Sequence, residues 1–398
     1  MDTPKAAEVQ YSGFCPSAML RRLFALCITG VLAVSDRPGR VLPMEGVRGA
    51  GMLLVFLAHC TVIFRTWIEP GSLTDRLAEK VFAIGQTGVD VFFVLSGYLI
   101  YSLALAHRGP WRRFLTRRAR RIYPPFLAVL GLYIVLALAL PGEGRLPENG
   151  VWLYLVQCVM LLPGFFDIRP LFAVAWSLSY EAVYYLAAPL LVARAGLQRR
   201  SARTRVLLIL AGGLGYAVAV WVWFPERWAI VAFSPWHHWR LLLFPAGMLA
   251  YEAVTAAGRL GRGWHWVGAG TLFLAFGPFL LWVANPLFQQ PWPGLLRAAV
   301  LGLATGAAFV AAFSGPGVLT VVFSWAPLRW LGNLSYSFYL VHGLGLHLVA
   351  MAARPWAGAP FWGLCAAGFL AATAVALTLF FLVERQYSLP APRVQGRA

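Results

Sequence analysis

An arginine and a histidine stand eleven positions apart in one apolar stretch: Arg48 and His59 in VRGAGMLLVFLAHC, inside the apolar run Met44–Phe64. A helix turns about 100° and rises ~1.5 Å per residue, so eleven steps return to nearly the same face, roughly 16 Å along the axis. Polar groups are costly in a membrane helix; they normally face an interior or a watery cavity and are functional candidates. The imidazole can take a proton and the guanidinium can hold an anion. A buried histidine satisfied by one neighbour is the architectural alternative, against which the arginine on the same face argues.

Three more ionisable groups lie in other apolar runs: Asp90 in GVDVFFVLSGYLI, Glu181 in WSLSYEAVYY and His342 in LGNLSYSFYLVH. With the topology given below and ~1.5 Å per residue, His59 and Asp90 lie about 7 and 9 Å in from the outer end of their runs. Glu181 and His342 fall near the midplane, and Arg48 stays near the cytoplasmic end. A carboxylate beside a histidine fixes its tautomer and steadies the imidazolium for general-base work. Asp90 or Glu181 is therefore expected to orient His59, with His342 and Tyr336 in the same polar cavity. Each group also has an architectural reading: Asp90 as a helix cap, Glu181 as a protonated hydrogen-bond partner between helices, His342 as a structural donor.

The segment FLTRRARRIYPPF places four arginines ahead of Tyr123, with Pro124–Pro125 opening the following run. Orientation in the membrane and headgroup contact account for the charge. A planar-donor cluster for the phosphates of a cytosolic ligand accounts for it equally well.

The elements that must position these groups are membrane helices. Of 398 residues, 60% are hydrophobic and 12% charged, against about 25% charged in soluble domains. The net charge of +18 does not indicate nucleic-acid binding, because the basic residues sit in short loops between apolar runs, where orientation explains them. The five cysteines show no C-x-x-C spacing, so neither a disulfide framework nor a metal site is expected. Leu23–Val34 is too short to span and suits an interfacial helix.

Runs able to cross a bilayer are Met44–Phe64, Ile84–Ala106, Ile122–Leu140, Leu171–Ala193, Val206–Phe224, Leu241–Ala257, Trp266–Val283, Leu295–Phe313, Leu331–Met351 and Pro360–Val383. His107–Arg121 holds seven arginines and no acid, and Arg194–Arg205 five and no acid; both belong on the cytoplasmic side. An even number of crossings must separate them, so Val151–Leu162 dips in or lies on the outer surface. The expected fold is an all-α integral membrane protein: a bundle of about ten transmembrane helices with an additional short re-entrant or interfacial helix, and both termini cytoplasmic. Residues 1–40 form an N-terminal cytoplasmic or interfacial segment, 41–389 the transmembrane domain and 390–398 a cytoplasmic tail. Specificity is expected from outer loops such as Arg65–Lys80 and Pro141–Pro170.

The motifs together resemble the membrane acyltransferase-3 family, multi-pass O-acyltransferases of bacterial surface glycans and related acceptors. MEGVRGAGMLLVFLAHC is similar to its opening R-x10-H signature. TGVDVFFVLSGYLI, FLTRRARRIYPPF, AWSLSYEAVYYLAAPLL, LRWLGNLSYSFYLVHG and VERQYSL resemble its later blocks in order. One block alone would be weak, but six in order over Val41–Leu389 are specific. The resemblance implies that His59 is catalytic, that Arg48 supports it or the acyl donor, and that Arg118 and Arg121 form the basic R-x-x-R element with donor or structural roles. Asp90, Glu181 and His342 fall at polar positions of their blocks. Glu45 stands where the family commonly has Asp, and Gln386 where Pro often follows the terminal Glu-Arg. A fused hydrolase-like domain, known in the family, is not expected here.

The implied reaction moves an acyl group, most simply acetyl, from cytosolic acyl-CoA to a hydroxyl of a glycan or similar acceptor. Acyl-CoA is a co-substrate, with no permanently bound cofactor, and the implied setting is a bacterial inner membrane. His59 acts as general base or briefly carries the acyl group; the residues leave both open. Ser96 lacks a G-x-S-x-G elbow. A transporter or flippase for a lipid-linked glycan is the rival, since intramembrane charges suit it too, although the paired repeats common in transporters are not visible.

Overall fold

The computed structural model describes residues 41–107, 109–139, 146–147, 149–164, 166, 168–223, 239–258, 294–356 and 358–388. The segment 1–40 with its expected interfacial helix, the expected span Trp266–Val283, the tail 390–398, Cys15 and Cys27 lie outside them. Among the described residues the chain is helical, with no strand. Among the described residues six helices are long and apolar enough to cross a membrane, or seven if one bent pair counts as a single span. The chain is thus a multi-pass helical membrane protein. Two further expected spans fold as helices outside those six, Ala175–Arg194 and Leu243–Ala257. The first carries Ser, Tyr and Glu in its opening turns, and the second is only 15 residues long.

Two helix pairs position the site. Helix α1 (Leu42–Ile63) packs in parallel against a long later helix, Ala326–Ala353, and the contact has no room for side chains. A Cβ on Gly49 would stand 2.1 Å from the Leu328 carbonyl oxygen and one on Gly332 1.9 Å from that of Glu45, while one on Gly46 would stand 1.9 Å from that of Phe323, just before the long helix. Small residues let membrane helices approach this closely, where packing rather than water exclusion drives association. After α1 a helix α2 (Leu73–Gly85) runs into α3 (Thr87–Ala106). Gly97 of α3 lies against the Phe244 carbonyl and Gly247 against that of Val94, at 2.2 and 2.0 Å from a built Cβ.

Helix α4 is Trp111–Ala139, α5 Val151–Val159, α6 Ala175–Arg194, α7 Ala202–Trp223 and α8 Leu243–Ala257. Helix α9 (Gly294–Phe313) is followed by α10 (Val318–Ser324), bent from it by 86°, then by α11 (Ala326–Ala353) and α12 (Phe361–Leu379). Contacts fix the relative directions. Arg48–Ser335 and His59–His342 make α1 and α11 parallel. Asp90–Arg240 and Tyr101–Glu252 make α3 and α8 parallel, and Phe93–Trp176 and Gly97–Tyr184 add α6. Helices α1 and α3 are antiparallel, since Gly51 meets Phe92 while Gly88 meets Val55. This is the alternation expected of the corresponding runs.

Two expectations are corrected. Arg65–Lys80 is not simply a loop: Ser72 caps α2 by accepting from the Asp75 amide at 3.1 Å, and Arg65 pairs with Asp75. A side-chain cap satisfies a donor that the first helical turn leaves open. The chain does not restart at Pro124–Pro125 either, because α4 runs through both prolines and carries the arginines on its early turns. Neighbouring helices tolerate prolines inside membrane helices in this way. Helix α5 has nine residues, about 14 Å, too short to span, as expected of Val151–Leu162.

Candidate active site

Helices α1, α3, α4, α6 and α11 line one cleft of about 120 Å³. Arg48, Ser96, Arg118, Arg121, Glu181, Tyr185, Ser335, Tyr336 and Tyr339 supply its polar lining. Arg48 Nη2 donates to Ser335 Oγ at 3.0 Å across the close α1–α11 contact. Glu181 accepts from Ser96 Oγ at 2.7 Å and from the Tyr185 hydroxyl at 3.0 Å. The Tyr336 hydroxyl donates to the Ile122 carbonyl at 2.7 Å. Arg118 lies over the Phe114 and Tyr185 rings at 5.7 and 5.8 Å. Arg48, Arg118, Arg121, Glu181 and Tyr336 thus come together as one cavity.

His59 and His342 sit beyond this lining as a pair. Their rings meet edge to face with centroids 4.7 Å apart. His59 Nδ1 lies 2.9 Å from the Val55 carbonyl oxygen, and His342 Nδ1 2.8 Å from that of Tyr339. A carbonyl oxygen only accepts, so each Nδ1 carries the hydrogen and each neutral ring has a bare Nε2. Tyr339 links pair and cleft: it lines the cleft, its hydroxyl is 2.7 Å from Ser177 Oγ, and its ring stands 6.1 Å from that of His342.

Neither expected carboxylate hydrogen-bonds to His59 among the described residues. Asp90, 3% exposed, accepts from Arg240 Nε at 2.6 Å, and Arg240 packs on the Trp239 and Trp176 rings at 4.7 and 5.5 Å. Asp90 and Val89 are neighbours on α3, but only Val89 reaches the cleft. Glu181 serves the cleft instead. The role expected of a carboxylate, fixing the His59 tautomer, falls to the Val55 carbonyl one turn earlier.

Two partners escaped the reading of the sequence. Glu384, 3% exposed, accepts from the Ser337 amide at 3.1 Å and lies in the field of Arg121 and Arg48. It closes a π-helical turn, Phe380–Glu384, a distortion frequent at functional sites. In sequence it reads as a charge at the end of an apolar run, although its place in the VERQYSL block was a signal. Arg240 reads as an ordinary basic loop residue, and nothing in its spacing pairs it with Asp90.

The chain is 27% identical to the peptidoglycan O-acetyltransferase OatA of Listeria monocytogenes over 75% of its own length and 48% of that protein's. It is 28% identical to the exopolysaccharide production protein ExoZ of Rhizobium meliloti, covering 77% of this chain and 92% of that one. With nodulation protein 10 of Rhizobium leguminosarum it shares 25% identity over 86% and 93%. The chain therefore spans about half the length of the Listeria relative and nearly all of the two rhizobial ones. No solved structure matches. The acyltransferase-3 model, described as an acyltransferase domain, matches from the second residue of α1 to the π turn after α12. Over residues 43–381 this chain belongs to the acyltransferase-3 family.

Proposed function

We propose that the protein is a membrane O-acyltransferase that moves an acyl group, acetyl in the simplest case, from cytosolic acyl-CoA to a hydroxyl of a glycan or similar acceptor. One observation carries the reading: α1 holds Arg48 in a three-arginine cleft and His59 eleven residues along the same helix. Planar guanidinium groups suit the phosphates of the donor. The ~16 Å between Arg48 and His59 is a distance that an extended pantetheine arm can cover. The acceptor hydroxyl loses its proton to His59 Nε2 as its oxygen attacks the thioester carbonyl. The C–S bond then breaks, and the leaving sulfur takes the proton as free thiol. In the covalent variant, His59 Nε2 first attacks the carbonyl and passes the acyl group on. The full reading includes about ten membrane helices in one domain over residues 41–389, a bacterial inner membrane, and cytoplasmic termini.

The relatives support the acceptor class, since two are named for peptidoglycan O-acetylation and exopolysaccharide production. The test supplies radiolabelled acetyl-CoA to native-host membranes containing wild type, His59→Ala or neither. Label should enter a glycan or other hydroxyl-bearing fraction with wild type alone. Equal label with His59→Ala would remove His59 from the chemistry. No transfer by folded wild type with any acyl-CoA would favour transport of an unmodified substrate.

A further inference from the structure

We propose that His342 is a positioning residue for His59, a neutral imidazole that holds the proton-bearing form of the neighbouring ring during transfer. The inference rests on the acyl-transfer reading above. Taking the acceptor's proton makes His59 a cation inside an apolar bundle, and among the described residues no carboxylate hydrogen-bonds to it. An uncompensated charge there is costly. One polar group in contact with that ring is His342, 1% exposed and 4.7 Å away between centroids.

Its orientation is set from behind. With Nδ1 donating to the Tyr339 carbonyl, His342 keeps its lone pair at Nε2, and that atom is buried without a hydrogen-bond partner. Buried polar atoms in native proteins are nearly always paired, so an unpaired one asks for a reason. A histidine kept only for packing would have no need of a second nitrogen. A neutral imidazole edge to face with the general base, one nitrogen bare, can instead steady the imidazolium through its lone pair or through its π face. Phe338 lies parallel to His342, interplanar angle 4° with centroids 6.0 Å apart.

The proton balance is closed. The acceptor O–H bond breaks as the C–O bond forms, His59 Nε2 carries the proton while His342 stays neutral beside it, and the C–S bond breaks. The proton then passes to the donor sulfur, leaving both rings neutral. His342 is neither consumed nor charged at the end.

The test compares His342→Gln, His342→Asn and His342→Phe in reconstituted membranes, with labelled acetyl-CoA as donor and native-host membranes as acceptor. Gln can place an amide oxygen where Nε2 stood, Asn reaches only the Nδ1 position, and Phe keeps the ring without nitrogen. Transfer by Gln should exceed that by Asn and Phe, with Phe at or below about a hundredth of wild type and KM for acetyl-CoA unchanged. Phe equal to or better than Gln would overturn the proposal, as would a loss confined to KM. If the Phe variant does not fold, His342→Ala with added imidazole replaces it: recovery of kcat supports the role, and no recovery overturns it. Wild type that transfers no label overturns the acyl-transfer reading beneath. Active wild type with an equally active Phe variant overturns only the inference about His342.

Discussion

At the scale of single residues, the membrane charges divide between cleft and frame. Arg48, Arg118 and Arg121 converge on one cavity with Glu181, whereas Asp90 is taken up by Arg240. Arg48→Lys keeps the charge but loses the planar fork that reaches Ser335. It should raise KM for acetyl-CoA about tenfold and change kcat far less. Steady-state kinetics at saturating acceptor would show it, and a fall in kcat alone would place Arg48 with His59 instead of with the donor. Asp90→Ala takes a buried carboxylate from Arg240, a loss that typically costs about 3–5 kcal/mol. The variant should melt well below wild type in detergent, and Asp90→Ala/Arg240→Ala should recover part of the difference. Additive losses would show that the two groups do not act as a pair. Asp90 shows where sequence alone stops: depth along a helix follows from counting, but which neighbour faces a carboxylate depends on helix rotation and on Arg240, 150 positions away.

At the scale of elements, glycine contacts set the register that brings distant motifs together. The α1–α11 approach at Gly49 and Gly332 fixes Arg48 beside Ser335 and, two to three turns on, His59 beside His342. Gly332→Ala would drive a Cβ to 1.9 Å from the Glu45 carbonyl oxygen, backbone that cannot step aside. Overpacking of this kind costs about 1–3 kcal/mol or more. Gly212→Ala on α7, where a Cβ meets nothing within 4 Å, should be neutral or stabilising by up to ~1 kcal/mol. Thermal unfolding of the two purified variants checks the pair; equal melting temperatures would mean that the α1–α11 contact is looser than described. The helices themselves were legible because an apolar run has no other way to satisfy its backbone in lipid. Helix α2 and the passage of α4 through Pro124–Pro125 were not, since a polar amphipathic segment and a proline pair both resemble loop when their neighbours are unknown.

At the scale of the whole molecule, helix direction unites the arginine loops with the cleft. Counting charges put His107–Arg121 and Arg194–Arg205 on one side, and the contacts agree: α3 and α6 run in parallel and deliver the chain to those two segments. Helices α1 and α11 run the other way and end together, where Trp67 Nε1 donates to the Trp356 carbonyl at 3.0 Å. Single cysteines at Thr66 and Pro355, in a background lacking the native ones, should therefore share one side of the membrane. Those at Gly109 and Arg199 should share the other. With the arginine-dense second side cytoplasmic, as the positive-inside rule expects, an impermeant maleimide on intact cells should label only the first pair. Labelling that splits either pair would contradict the parallel packing that builds the site. Labelling of the second pair alone would keep the fold and invert it, placing the three-arginine cleft where cytosolic acyl-CoA cannot reach it.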